Sequence, residues 1–132
     1  MSQGNIGLIK RIYEAFNHGN FPAVLDLFDQ AVEWVAADNS PLADRSPYYG
    51  LDEVREGVFM RIAAGFPGLT IRVDELIDAG DKIVMLGVYQ GVRKATGKQI
   101  QAQVAHIWTP AAGKVIRFQQ YTDTWQLAES GK

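Results

Sequence analysis

The stretch "KQIQAQVAHIWTPAAGKVIRFQQYTDTW", residues 98–125, constrains this chain most, because its polarity alternates with a period of two on both sides of a turn. Gln99, Gln101 and Gln103 alternate with Ile100, Ala102, Val104, His106 and Trp108. That pattern belongs to a strand with one face in a core. After the turn, Ile116, Phe118, Gln120 and Thr122 alternate with Arg117, Gln119, Tyr121 and Asp123. A three-residue loop, Ala111-Ala112-Gly113, places Gly113 in the left-handed position of a bulged hairpin turn, with Pro110 opposite Lys114 and His106 opposite Phe118. Val104 then faces Gln120, and His106 is a diagonal neighbour of Gln120 on the same face. A slip of one residue would mix the two polarity classes, so the pattern selects the register. It turns His106 and Gln120 into the protein, and Tyr121 and Asp123 out of it.

The rest of the chain supplies what that inner face packs against. In "NIGLIKRIYEAFNHGN", Ile6, Ile9, Ile12, Tyr13 and Phe16 recur at helical spacing. Gly19 ends this helix, and Asn20 caps a second one, "FPAVLDLF", with Pro22 in its first turn. "AVEWVAA" reads as a short strand, and residues 38–49, with two prolines, as a long loop of the kind that rims a site. "LDEVREGVFMRIAA" is a third helix burying Leu51, Val54, Val58 and Ile62. "LTIRVDELI" and "DKIVMLGVYQGV" are strands, the second apolar on both faces as in a sheet interior. Helices first and strands last predict an α+β fold in a single domain over residues 1–132.

Composition excludes several functions. Thirteen basic and fifteen acidic residues are mixed along the chain, for a net charge of −2, so no basic stripe offers itself to nucleic acid. There is no cysteine, which removes disulfides, thiol catalysis and thiolate metal sites. The two histidines lie far apart with no carboxylate at ligand spacing, so no metal site is expected. No apolar run approaches the roughly 20 residues of a membrane span. "MSQGNIGLIKR" lacks the apolar core of a signal peptide, and a cytoplasmic protein without cofactor is the expectation.

Three segments, "YEAFNHGNFPAVLDLFDQAVEW", "YYGLDEVREG" and "GKVIRFQQYTD", together resemble the nuclear transport factor 2-like superfamily, and within it the SnoaL-like proteins related to polyketide cyclases, ketosteroid isomerase and limonene-epoxide hydrolase. The resemblance spans nearly the whole chain. It implies a conical barrel, a curved and mostly antiparallel sheet packed on three N-terminal helices around an apolar pocket, and a homodimer. Residue by residue it implies as much by its failures. The isomerase's general base has Trp34 in its place, and the catalytic Asp of the hydrolase and cyclase has Gln120. Tyr13 matches the isomerase's tyrosine on the first helix, and His106 matches a cyclase-type histidine.

Two readings of function follow. A histidine on an apolar strand face is more often a satisfied core residue than a catalyst. Its ordinary pKa near 6.5 nevertheless suits acid–base work. The first reading is a cofactor-free isomerase, cyclase or lyase acting on a small apolar carbonyl compound, with His106 as acid/base. The second is a non-catalytic ligand-binding or dimerisation module. In either, Tyr13, Trp34, Phe66, Tyr89, Trp108, Phe118 and Gln120 are the expected ligand-binding residues. Arg117 and Asp123 are expected to meet on the solvent side or at a dimer contact.

Overall fold

The structure, a computed structural model, describes residues 2–132. Helix α1 runs Ser2–Asn17 and α2 runs Phe21–Leu25. Strand β1 is Phe28–Val35, and β2 is the short pair Tyr48–Tyr49. One helical rod follows: α3 (Gly50–Val54), a π turn (Arg55–Phe59) and α4 (Met60–Gly65). Strands β3 (Thr70–Asp78), β4 (Ile83–Val92), β5 (Gln99–Ala111) and β6 (Lys114–Thr122) come next, and α5 (Thr124–Glu129) ends the chain.

The strands form one curved, unclosed sheet in the order β2-β1-β6-β5-β4-β3. All neighbours are antiparallel except β1 and β6. The expected α+β cone is therefore present, with a sheet that does not close into a barrel. Helix α1 lies on β3 and β4 and buries Leu8, Ile9, Ile12, Tyr13 and Phe16. Each such side chain contributes about 1.5–3 kcal/mol by leaving water. Asn17 ties the end of α1 to the sheet edge: its Nδ2 donates to the Ile71 carbonyl at 2.9 Å, and its Oδ1 accepts from the Ile71 N–H at 2.8 Å. Asn20 caps α2 as expected, with Oδ1 accepting from the Ala23 N–H at 3.2 Å.

Several local expectations need correction. Helix α2 stops at Leu25 and β1 begins at Phe28, because the Leu27 carbonyl accepts from the Val115 N–H at 2.9 Å and draws the chain onto β6. The third helix carries a π turn. Gly57 lies in that turn, where the Tyr48 ring packs so close that an added Cβ would sit 2.3 Å from it. The outer face of β4 is only half covered, with Leu86 38% exposed. Residues 124–129 form α5, where the sequence pattern runs the last strand to Trp125, and the helix is started by Asp123, whose Oδ1 accepts from the Gln126 N–H at 3.1 Å. Asp123 is thus spent as a helix cap, and Arg117 pairs with Glu33 at 3.2 Å instead.

The terminal hairpin differs in its turn and its register, while His106 and Gln120 keep to the inner face. Ala111 pairs with Lys114, leaving a two-residue turn of Ala112 and Gly113 at φ 51 and 78. Two left-handed residues make a turn whose twist matches that of the strands, at a cost of about 1–2 kcal/mol for the alanine. A bulge then intervenes: Pro110 pairs with Val115 and Thr109 with Arg117, leaving Ile116 unpaired and 39% exposed. Proline, having no N–H to give, suits such a position. The bulge restores the parity that the turn had shifted, so His106 lies directly opposite Gln120, and Val104 opposite Thr122. Ile116 leaves the inner face, and Val115 takes its place in the core.

Candidate functional site

Five polar-tipped side chains from four elements meet inside the sheet's curve. Tyr13 comes from α1, Tyr89 from β4, His106 and Trp108 from β5, and Gln120 from β6. The period-two alternation brings His106 and Trp108 to one face of β5, and the β5–β6 register sets Gln120 beside His106. The hydroxyl of Tyr13 is 2.6 Å from His106 Nδ1, and that of Tyr89 is 2.7 Å from His106 Nε2. Trp108 Nε1 donates to the Tyr13 oxygen at 2.8 Å. Gln120 Nε2 donates to the Tyr89 oxygen at 2.7 Å, while Gln120 Oε1 accepts from the Ala37 N–H at 3.1 Å. A backbone N–H can only donate, so the Ala37 contact fixes which end of the Gln120 amide faces Tyr89.

The electrostatics follow from burial. His106 is 2% exposed, and removal from water pushes its imidazole down to about 3. Burial raises the Tyr13 phenol well above its ordinary value, against a partial lowering by the Trp108 N–H. Burial raises Tyr89 too, partly offset by the Gln120 amide. Tyr13, Tyr89 and His106 are therefore all neutral at pH 7.

These side chains form the polar wall of a cavity of about 70 Å³. One water needs roughly 10–15 Å³ of such space, so several fit. Trp34, Phe66 and Trp108 line it, along with Tyr13, Tyr89, His106 and Gln120. Phe118 does not reach it. Its ring is fully buried one layer behind, 3.7 Å from the Trp34 ring centre and stacked on it, and 4.7 Å from that of His106. Sequence reading missed Ser40, Pro41 and Leu42 in the long loop, and Leu127 of α5, all of which border the cavity. The loop's prolines had marked it as a rim without saying which residues turn inward. No Asp, Glu, Lys or Arg side chain borders the cavity among the described residues.

The geometry also changes what His106 can do. Both its ring nitrogens are engaged by phenols, so neither faces the cavity free. A proton reaching the imidazole from a bound molecule has to pass through a tyrosine hydroxyl.

A curved, open sheet wrapped on N-terminal helices around an aromatic cavity defines the nuclear transport factor 2-like architecture. Residues 9–118 match the SnoaL-like domain, and the chain belongs to that family. It is similar to an NTF2-like protein of Burkholderia thailandensis, with 32% identity, a TM-score of 0.88, and 96% of this chain and 95% of that one covered. An NTF2-like protein of unknown function from Burkholderia pseudomallei is 26% identical, with a TM-score of 0.85 and the same coverage of both chains. A putative SnoaL-like polyketide cyclase from Jannaschia shares the fold at 15% identity, with a TM-score of 0.83 and 97% and 91% of the two chains covered. No curated protein matches the sequence significantly. None of the described helices is long and apolar enough to cross a membrane.

Proposed function

We propose that this protein binds a small, uncharged, apolar molecule with one hydrogen-bond-accepting oxygen, a carbonyl compound being the simplest case. The observation that carries this reading is a cavity walled by aromatic and aliphatic side chains whose polar side chains are all neutral, with Tyr13, His106, Tyr89, Trp108 and Gln120 linked to one another. A charged ligand entering it would lose its hydration and meet no counter-charge, at a cost of several kcal/mol or more. Titration with cyclohexanone and with cyclohexanecarboxylate, followed by amide chemical shifts, tests this. The ketone should perturb residues around the cavity and the carboxylate should not. Preferential binding of the carboxylate overturns the reading.

Catalysis as a cofactor-free isomerase, cyclase or lyase is the second reading, favoured by the one titratable nitrogen base at the cavity wall, His106. With the imidazole pushed down to about 3, it is a weak base, and proton abstraction through Tyr13 or Tyr89 would be slow. On this reading His106→Ala abolishes turnover and leaves ligand affinity nearly unchanged. Unaltered turnover in that variant removes His106 from any catalytic role.

We propose also that the outer sheet face pairs with a second copy of the chain. Tyr121 is 55% exposed there beside Ala105, Ile107 and Leu86, an unusually apolar patch among glutamines. Sedimentation at micromolar concentration should give a dimer, and a monomer would refute the pairing.

A further inference from the structure

The hydrogen-bond chain holds one proton more than it can place. Its two ends are groups that can only donate: the Trp108 N–H gives to the Tyr13 oxygen, and the Gln120 amide N–H gives to the Tyr89 oxygen. Between the phenols sits a neutral imidazole, which has one N–H and one lone pair. It can therefore accept from only one tyrosine and must donate to the other. The tyrosine that receives the imidazole's N–H already receives one from its end of the chain. Its oxygen then accepts twice, and its own O–H proton has no partner within the chain. That proton needs an acceptor from whatever fills the cavity, a water or a ligand oxygen.

The imidazole's tautomer decides which phenol is left over. Neutral histidine intrinsically favours the proton on Nε2, the nitrogen facing Tyr89. The Tyr13 O–H is then placed, donating to His106, while its oxygen accepts from Trp108.

We infer that Tyr89 is the specificity-determining donor of this site, holding a single O–H for the oxygen of an uncharged ligand, and that His106 and Gln120 are positioning residues that aim it by donating into its oxygen. The inference rests on the proposed small-molecule pocket and adds which group recognises the ligand and how many acceptors it satisfies. It displaces Tyr13, the phenol singled out by family resemblance, from that role.

The test pairs cyclohexanone with methylenecyclohexane, which has the same shape and no acceptor oxygen. Nitrogen NMR of the protein labelled at histidine should show His106 protonated at Nε2 and bare at Nδ1, both free and with cyclohexanone. The bound ketone's carbonyl stretch should move to lower frequency. Tyr89→Phe should weaken cyclohexanone about two- to tenfold, as for one neutral hydrogen bond, and leave methylenecyclohexane unchanged. A proton on Nδ1, an unshifted carbonyl band, or equal weakening of both ligands overturns the inference while the pocket reading stands. Failure of both probes to bind sinks the pocket reading and the inference with it. If Tyr89→Phe does not fold, the tautomer and the carbonyl band of the unaltered protein decide the matter alone.

Discussion

The cavity is bounded by two regions built on opposite principles. Its wall, the Tyr13–His106–Tyr89–Gln120 chain backed by Trp34, Trp108 and Phe118, is buried, neutral and set on helix and sheet. Its rim, the loop between β1 and β2, is held by a half-exposed cation. Arg61 Nη1 donates to Asp44 at 2.8 Å and its Nη2 to the Pro41 carbonyl at 3.1 Å, while the Tyr48 hydroxyl donates to the Leu42 carbonyl at 2.6 Å. The wall should respond to burial and to proton count, and hardly to salt. The rim should respond to salt and hardly change global stability. A site that admits a ligand needs both kinds of boundary, one fixed and one yielding.

The wall gives the largest expected effect. Phe118→Ala removes a fully buried ring stacked on Trp34 and in contact with His106 and Trp108, and should cost about 3–5 kcal/mol in denaturant unfolding. Loss of less than about 1 kcal/mol would mean that the layer behind the cavity repacks freely, and the wall would not be the rigid side. Next comes Gly57→Ala, where the new methyl meets the Tyr48 ring beneath the rim. Overpacking of this kind costs typically about 1–3 kcal/mol. Because Tyr48 anchors the loop through Leu42, amide exchange in residues 40–44 should rise more than in β5. An equal rise in both would erase the distinction between the regions.

A third expectation concerns protons. His106 titrates at about 3 when folded, against 6.5 for an unperturbed histidine. Between those values the unfolded chain binds a proton that the folded chain does not, so stability falls as pH drops below 6.5 and levels off near 3. The slope is about 1.4 kcal/mol per pH unit, or roughly 2 kcal/mol lost by pH 5. Subtracting the pH–stability curve of His106→Gln isolates this contribution, since the carboxylates are common to both proteins. A flat difference curve between pH 5 and 6.5 would show that His106 is hydrated and that the wall is not dry.

What could be read from sequence follows the same division. Strand faces were legible because a period of two in polarity survives local irregularity. The turn was misjudged, yet the bulge at Thr109 and Pro110 returned His106 and Gln120 to the inner face. Phe118 was placed on that inner face correctly, but no pattern reveals that Trp34 lies between it and the cavity. The tyrosine–histidine chain was invisible because its members are far apart in sequence and meet only through the sheet's curvature. Helix α5 had a readable signal in Asp123 and Gln126, a cap spacing overlooked because the preceding residues alternate as a strand. The rim residues lie in aperiodic chain, where direction is set by contacts such as Arg61 to Pro41 rather than by spacing.

The smallest expected effect belongs to the rim's ion pair. The Arg61 guanidinium holds the Asp44 carboxyl below its ordinary value, chiefly by hydrogen bonding, and Asp44 in turn raises Arg61. A lowered carboxylate contributes when ionised and loses that contribution as pH falls through its depressed value, so the pair persists below the usual carboxylate range. Both partners are substantially exposed, Asp44 at 53% and Arg61 at 31% of their side chains, and exposed pairs contribute little to stability. Asp44→Asn should therefore leave the unfolding midpoint nearly unchanged. Its effect should appear in the loop alone, because Arg61 keeps only its carbonyl and phenol contacts there. The Leu42 N–H, which donates to Ser40, and the Ala36 N–H, which donates to Ser46, should exchange faster at low salt than in the unaltered protein. High salt should narrow that gap by weakening the pair in the unaltered protein. Should Asp44→Asn shift the midpoint as much as Gly57→Ala does, the rim would be part of the protein's main cooperative unit, and the yielding side of the cavity would have to be sought elsewhere, with α5 and Leu127 the next place to look.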